Sequence, residues 1–341
     1  MAGTGHGRRT GRPGADPVRP GARLQPGKAS PPAVTLPPGE PSPCSGIPLP
    51  PGAARFVGSG AARIDDLTLP WSDATRTVLV TPTGGGDPLV VQWGGDGAGI
   101  ARRIRLARDL ARLAPALPVP PVLGGDPRAG IPWLVTQYVP GTPGRALLGT
   151  DAEAERLGTA VGNLARALHT VPPAGLRLPR RWADPDRLQA AARGWLARGR
   201  DILGADLAGR LGRRIGAIPG ALGAAPVFVH GDLAPVNVLL RDGTVVALLD
   251  LERARLAHPL YDAAWWTWVI RVHHPERAGS AGDRFLEAAG VGRDRDTLDR
   301  LAMLAALQCL EMMAARPRGA DPARREWARR VAVAVEGFGS R

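Results

Sequence analysis

The sequence predicts an α+β fold in two lobes, a small β-rich lobe followed by a larger, mostly helical lobe, after a disordered N-terminal tail. Three observations carry this prediction. Residues 1–55 are dense in Pro, Gly and Arg, residues 56–140 contain short β-branched runs, and residues 141–341 mostly follow the apolar spacing of helices. A chain of 341 residues is long enough to bury a core in both lobes.

The tail, residues 1–55, has few large apolar side chains. Burial therefore cannot offset the entropy lost on ordering, and we expect disorder. The tail carries seven Lys or Arg residues against two acidic ones, within a net charge of +13. A basic segment of this kind could act as an adaptor for an anionic partner. We do not expect nucleic-acid binding, because the other arginines alternate with Ala and Leu along helices and form no aromatic-basic platform.

Several classes of protein are excluded by composition. The sequence contains no run of about 18 apolar residues, the length a membrane span needs. Its Arg-, Gly- and Pro-rich start lacks the apolar core of a secretory signal. Cys44 and Cys309 are the only cysteines, so no disulfide framework is implied. These features predict a cytoplasmic protein without a membrane partner, and they leave the oligomeric state undetermined.

The small lobe is predicted from short β-branched runs. Residues 75–81 and 88–93 are such runs, and the Gly-rich stretch between them favours a hairpin. Apolar residues recur at helical spacing over residues 100–113, and residues 131–139 form another strand-like run. We therefore expect a small sheet with one helix.

The larger lobe is predicted to be mostly helical. Thr150 and Glu153 have the spacing of a capping box, which starts a helix. Apolar stripes then predict a long amphipathic helix over residues 188–215, and two further helices over residues 261–272 and 298–315. A cluster of tryptophans at helical spacing is interpreted as core rather than as a ligand platform. The cluster consists of Trp265, Trp266 and Trp268.

Three polar residues interrupt apolar, strand-like runs in the middle of this lobe. Asp232 lies five residues before Asn237, and Asp250 ends the next apolar run. Burying such groups without partners is costly, which favours a functional reason for their presence. In phosphoryl transfer from a nucleotide, one carboxylate accepts the proton of a hydroxyl, while an amide oxygen and a second carboxylate hold Mg²⁺. The spacing therefore predicts a kinase-type phosphotransferase.

At these residues the sequence resembles the aminoglycoside phosphotransferase family, whose relatives include choline kinase and other small-molecule kinases of protein-kinase-like fold. The resemblance implies a catalytic loop over residues 228–240 and a metal-binding segment over residues 246–252. The matching motifs are His230-Gly231-Asp232-Leu233 with Asn237, Leu249-Asp250-Leu251-Glu252, and His258-Pro259-Leu260-Tyr261-Asp262-Ala263-Ala264.

Carried over to this sequence, the resemblance implies a role for each polar residue of the motifs. Asp232 is then the catalytic base, and Asn237 and Asp250 are the ligands of Mg²⁺. His230 is a structural residue of the loop, and Asp262 is a buried carboxylate that braces it through backbone N–H groups. The implied co-substrate is ATP, or alternatively GTP.

The nucleotide side of the site departs from the family pattern. Kinases of this fold place a Lys, or here sometimes an Arg, on the third strand and pair it with a Glu on the next helix. The strand position is occupied by Gln92, and Lys28 in the tail is the only lysine. The helix offers arginines instead, and one of them, or Arg76, could reach the phosphates. These arginines are Arg102, Arg103 and Arg105, and the implied base-binding residues are Gln137, Tyr138 and Val139.

Two functions therefore stay open beside the adaptor. The first is an active phosphotransferase acting on a hydroxyl of a small molecule, such as an aminoglycoside-like antibiotic, a sugar or an amino alcohol. The alternative is a pseudokinase-like binding or regulatory module with weak or no nucleotide turnover, as Gln92 suggests. A polycationic acceptor would need nearby carboxylates, but neighbouring arginines favour a solvated surface of mixed charge. The candidate carboxylates are Asp283, Glu287, Asp299 and Glu311.

Overall fold

The computed structural model describes residues 47–57, 62–69, 75–223, 225–317, 319 and 321–337. All of them belong to one compact unit, Thr35–Arg341. They form a small lobe around a five-stranded sheet and a larger lobe of helices around two small sheets, which confirms the predicted α+β class. The tail prediction for residues 1–46 lies outside the described residues and stays a prediction.

The sheet of the small lobe is antiparallel throughout, with β3 at its centre. Its strands are β1 (Ala62–Asp66), β2 (Thr75–Pro82), β3 (Leu89–Gly94), β4 (Val122–Asp126) and β5 (Trp133–Gln137), in the order β1-β2-β3-β5-β4. The hairpin predicted from the two β-branched runs is the β2–β3 pair. Because side chains alternate along a strand, Leu89 and Val91 enter an apolar cluster on one face and Gln92 lies on the other.

Residues 47–57 lie against this sheet, although most of them fall in the stretch predicted to be tail. Helix α1 (Pro51–Ala54) buries Ala53 completely. The Phe56 ring packs edge-to-face on Trp133, with ring centroids 5.9 Å apart. Ile47 and Leu49 join the same apolar cluster. A few apolar side chains are enough to place this stretch because the open face of the sheet receives them.

Helix α2 (Gly97–Leu113) covers the other face of the sheet, the face that carries Gln92. Its residues Ile100 and Ile104 pack on Leu134 of β5. The predicted helix over residues 100–113 is confirmed. It begins earlier, at Gly97, because the Asp96 side chain accepts a hydrogen bond from the Gly99 N–H and caps the first turn.

The helices of the larger lobe are α3 (Asp151–His169), α4 (Pro185–Leu203), α5 (Ala205–Gly216), α6 (Ile218–Ala221), α7 (Tyr261–His273), α8 (Arg284–Ala288), α9 (Arg295–Ala315) and α10 (Asp321–Glu336). The predicted cap of α3 is confirmed, since Thr150 Oγ1 accepts from the Glu153 N–H at 3.3 Å. The single long helix predicted over residues 188–215 is wrong. Gly204 adopts φ +75° between α4 and α5, a conformation that ends a right-handed helix.

Two small sheets of the larger lobe hold the polar segments. Their strands are β6 (Thr142–Pro143), β7 (Val227–Val229), β8 (Val238–Arg241), β9 (Thr244–Leu248) and β10 (Arg255–Ala257). β8 lies between β6 and β9, while β7 pairs with β10. Residues 230–237 therefore connect β7 of one small sheet to β8 of the other, and residues 249–254 connect β9 back to β10. In the described part of the chain, no helix has the length and apolarity that crossing a membrane requires.

Candidate active site

Two loops of the larger lobe meet at Leu249. The first, residues 230–237, carries Asp232 and Asn237, and the second follows β9 and carries Asp250. The Leu249 N–H donates to the Asn237 backbone oxygen at 2.8 Å, and the Leu249 oxygen lies 2.7 Å from Nε2 of His230. Both backbone groups of the residue before Asp250 are thus bound by the first loop. This fixes the start of the second loop relative to the first.

The buried carboxylate of Asp262 holds the first loop from below. Asp262 lies in the first turn of α7 and is 1% exposed. Its Oδ2 accepts from the His230 N–H at 2.7 Å, and its Oδ1 accepts from the Gly231 N–H at 2.9 Å. Burial raises the pKa of Asp262, whereas the nearby His230 and these two N–H groups oppose the rise. Both carboxylate oxygens are therefore committed to the loop backbone.

The His230 ring is a bridge within the loops. The Asp232 N–H donates to Nδ1 of His230 at 3.3 Å, so this nitrogen is an acceptor. Nε2 faces the Leu249 oxygen and must carry the proton. Both ring nitrogens are used within the loops in this arrangement, which suits a structural residue rather than a proton carrier.

The position of Gly231 accepts only glycine. Its φ is +87°, and a Cβ built there would lie 2.1 Å from the Arg253 oxygen. That distance is far inside van der Waals contact, so any side chain would push the two loops apart. The close approach of the loops therefore depends on this residue.

Asp250 has a strained backbone and acidic neighbours. Its φ of +58° is left-handed, a conformation that costs a non-glycine residue about 1 kcal/mol and is best tolerated by Asp and Asn. Burial raises the pKa of Glu252, and the Asp250 and Asp232 carboxylates add to the rise, whereas Arg103 and Arg253 oppose it. Three acidic groups are thus within electrostatic range, a setting that favours a bound cation.

The donor set around Asp250 suits Mg²⁺. The Asn237 Nδ2 donates to the Asp232 backbone oxygen at 2.8 Å, which leaves Asn237 Oδ1 as an acceptor. Within the described residues there is no group of three or more His, Cys, Asp or Glu side chains that could hold a metal by themselves. Mg²⁺ commonly takes one or two protein oxygens and completes its shell with phosphate oxygens and water. Asn237 and Asp250 fit that demand.

Trp265 was missed as a site residue by the sequence analysis. Its indole Nε1 donates to Asp232 Oδ1 at 2.7 Å, and its ring stacks on Trp268 with centroids 5.0 Å apart. Trp266 and Trp268 are buried as predicted. The available signal was spacing, because Trp265 lies three residues after Asp262 on one helix and so shares its face.

The residues predicted to contact the nucleotide lie on β3, on α2, and at the end of β5 and just after it. Gln92 Nε2 donates to Thr77 Oγ1 at 3.1 Å, and Gln92 Oε1 accepts from an Nη2 of Arg103. At the end of β5 the Gln137 N–H donates to the Pro121 oxygen at 3.0 Å, and just after it the Tyr138 N–H donates to the Pro88 oxygen at 3.2 Å. No hydrogen bond of the Val139 N–H occurs among the described residues.

The four carboxylates considered for a cationic acceptor all have arginine partners. Glu311 is the most constrained, since its Oε2 accepts from Trp182 Nε1 at 3.1 Å and from Arg255 Nη1 at 2.9 Å. The other three lie at the surface in ion pairs, as expected for a face of mixed charge. These pairs are Asp283 with Arg293, Glu287 with Arg284, and Asp299 with Arg295.

Residues 66–304 match the family model described as the phosphotransferase enzyme family. A curated relative is an aminoglycoside 3'-phosphotransferase of Streptomyces fradiae. It is 34% identical over 205 residues, which is 53% of this chain and 70% of the relative. The region that matches the family model, residues 66–304, includes both loops and most of the small lobe.

Comparison of the structure finds kinases of the same architecture. The macrolide 2'-phosphotransferase MphH of Brachybacterium faecium has a TM-score of 0.59 at 20% identity, covering 82% of this chain and 96% of MphH. Aminoglycoside phosphotransferase APH(4)-Ia, in complex with ADP and hygromycin B, has 0.60 at 17%, covering 85% and 98%. A GDP complex of aminoglycoside 2'-phosphotransferase-IIIa has 0.62 at 16%, covering 83% and 93%. The kinase-like fold is thereby confirmed.

Proposed function

The chain belongs to the phosphotransferase enzyme family, whose relatives phosphorylate small molecules, and from that membership we propose that it transfers the γ-phosphate of a nucleoside triphosphate to a hydroxyl group. ATP is the favoured donor and GTP the alternative. Neighbours of known structure were solved with ADP and with GDP. The observation that carries the proposal is the pair of loops joined at Leu249, which brings Asp232, Asn237 and Asp250 to one place.

In this proposal Asp232 is the base. Trp265 occupies Oδ1 of Asp232, which leaves Oδ2 to accept the proton of the acceptor hydroxyl. As that proton moves to Asp232, the hydroxyl oxygen forms a bond to the γ-phosphorus, and the bond from this phosphorus to the β,γ-bridging oxygen breaks. The nucleoside diphosphate leaves with the electron pair.

Asn237 Oδ1 and the Asp250 carboxylate would hold Mg²⁺. The ion, when bound, supplies positive charge that neutralises the β- and γ-phosphate oxygens. Asp262 and His230 act only through the backbone in this scheme, since they fix the loop that carries Asp232. On the nucleotide side we place the base at residues 137–139, where the Val139 N–H is a donor left for an adenine nitrogen.

The acceptor is proposed to be a hydroxyl of an aminoglycoside-like antibiotic, a sugar or an amino alcohol. The experiment is to incubate the protein with Mg²⁺, ATP or GTP, and a panel of these acceptors together with macrolides, and to follow products by mass spectrometry. We expect a phosphorylated product that disappears when the metal is chelated. Nucleotide binding without product for any acceptor favours the pseudokinase alternative. Absence of both product and millimolar nucleotide binding in calorimetry sinks the proposal.

Trp265→Phe should lower kcat about 10-fold and leave KM for the nucleotide nearly unchanged. The substitution keeps a ring in the stack on Trp268 but removes the hydrogen bond that orients Asp232, a bond to a charged group worth about 1.5–3 kcal/mol. Steady-state kinetics on the acceptor identified above measure the effect.

The matched control is Trp266→Phe. Trp266 lies next to Trp265 on α7, but its Nε1 donates to the Ala281 oxygen at 3.2 Å, away from Asp232. This variant should melt at a lower temperature than the unaltered protein and keep its kcat. Equal kcat losses in the two variants would show that Trp265 acts through the core of the lobe.

A further inference from the structure

The central strand of the small lobe lacks a cation but presents an oriented amide. Gln92 lies on β3, on the face covered by α2. Its Nε2 donates to Thr77 Oγ1, so its Oε1 is the atom that points to Arg103. Because a guanidinium can only donate, Arg103 determines the flip of the amide, and Gln92 serves as an acceptor toward the helix.

Arg103 is half-buried on the face of α2 that meets Gln92. Its guanidinium donates to the Gln92 amide oxygen, and among the described residues it forms no salt bridge with a carboxylate. Helix α2, which carries Arg103, also packs against residues 251–253, which follow Asp250. The helix therefore contacts the acidic loop of the larger lobe while Arg103 is held by Gln92 of the small lobe.

The neighbouring Arg102 fixes this part of the helix against the larger lobe. It donates from Nη2 to the Ala254 oxygen, at the end of the turn that follows Asp250. Helix α2 is therefore attached at one residue to the metal-side loop and at the next to the central strand. Arg103 therefore lies one residue from the contact with the turn that follows Asp250, the residue to which we assign the metal of the nucleotide.

We propose that Arg103 is the phosphate-binding cation of this protein, with Gln92 as its positioning residue, so that the usual strand Lys and helix Glu are exchanged for a strand acceptor and a helix cation. The proposal rests on the proposed function. A guanidinium has five N–H donors, and one bond to Gln92 leaves the others for oxygens of the α- and β-phosphates. Arginine also stays charged in a half-buried site, which lysine does less readily.

The first test is nucleotide binding by calorimetry with Mg²⁺. Arg103→Ala should weaken the Kd for ATP and ADP about 10- to 100-fold, because charge-assisted hydrogen bonds to phosphate are lost, and leave the Kd for adenosine unchanged. Arg108→Ala is the matched control, since Arg108 is an exposed residue of the same helix. Its Kd for ATP should equal that of the unaltered protein.

The decisive variant places a lysine on the strand and a glutamate on the helix. Arg103→Glu alone should abolish measurable ATP binding, and Gln92→Lys combined with Arg103→Glu should restore it to within about 10-fold, because the double variant has the Lys and Glu of other kinases of this fold. Failure of the double variant to bind ATP while it melts at the temperature of the unaltered protein would overturn the proposed exchange.

A purely structural Arg103 predicts different results. If Arg103 only balances the charge of Glu252, then Arg103→Ala lowers the melting temperature, Glu252→Gln restores it, and ADP binds as before. That outcome overturns the inference while the proposed function stands. If the unaltered protein itself binds no nucleotide and gives no product, the proposed function fails, and the role of Arg103 fails with it.

Discussion

Asp232→Asn should reduce kcat about 1,000-fold, the middle of the range for loss of a general base, and leave nucleotide affinity within about threefold. The substitution is nearly isosteric. An Asn side-chain oxygen can still accept from Trp265 Nε1, so the loop keeps its geometry and only the proton acceptor is lost. Asn237 also keeps its bond, because it donates to the backbone oxygen of residue 232. Single-turnover kinetics, together with calorimetry of ATP binding, separate the chemical step from binding.

The control for this variant is Asp242→Asn. Asp242 lies on the turn between β8 and β9 with φ +51°, a conformation that Asn adopts at least as readily, and its side chain is exposed. Its kcat should be unchanged. A loss of less than 10-fold in Asp232→Asn would remove Asp232 from the role of base and leave positioning of the phosphates as the source of catalysis.

The approach of the loops that carry Asp232, Asn237 and Asp250 was predictable because these residues are close in the sequence. Asp232 and Asn237 belong to one loop, and Asp250 follows the adjacent strand of the same hairpin. Short strands that pair with each other bring such residues near one another, and contacts from α7, such as those of Asp262, then fix the loop. The motif that resembles the family is therefore largely a local structural unit, which its spacing in the sequence already indicates.

The nucleotide side was not predictable from spacing. Whether Arg102, Arg103 or Arg105 faces the cleft depends on the rotation of α2, which is set by Ile100 and Ile104 against the sheet. Arg102 reaches Ala254, 152 residues later, a contact that no local pattern encodes. Which arginine can reach a phosphate therefore depends on how the two lobes pack together, and sequence spacing does not determine that packing.

Two errors in element boundaries have physical causes that the sequence contained. Gly204 interrupts an otherwise continuous apolar stripe, and the stripe alone predicts a single helix. Residues 47–57 have a tail-like composition, and they order only because Phe56 and Ala53 find the face of the sheet near Trp133. Local composition determines which side chains a segment can bury, whereas the tertiary structure determines whether a surface is present for them to pack on.

Asp262→Asn should lower the free energy of unfolding by about 2–4 kcal/mol, which corresponds to a fall of about 5–10 °C in Tm. Both carboxylate oxygens accept backbone N–H groups of His230 and Gly231 in a buried site. An amide offers one oxygen and turns its NH₂ toward the second N–H, so that two donors face each other and one remains unsatisfied. Thermal melting measures the effect, and kcat at low temperature should fall about 100-fold because the loop that carries Asp232 shifts.

The matched control for this variant is Asp296→Asn. Asp296 also lies in the first turn of a helix, α9, but its side chain is exposed. The Asp296→Asn substitution removes only the interaction of a negative charge with the helix dipole, so it should lower the free energy of unfolding by about 0.3–1 kcal/mol. The additional loss in free energy of unfolding at Asp262, relative to Asp296, therefore measures what the hydrogen bonds of Asp262 to the loop contribute. If the two variants melt within about 2 °C of each other, the dipole accounts for Asp262, and the loop must be held by its own contacts through His230 and Leu249.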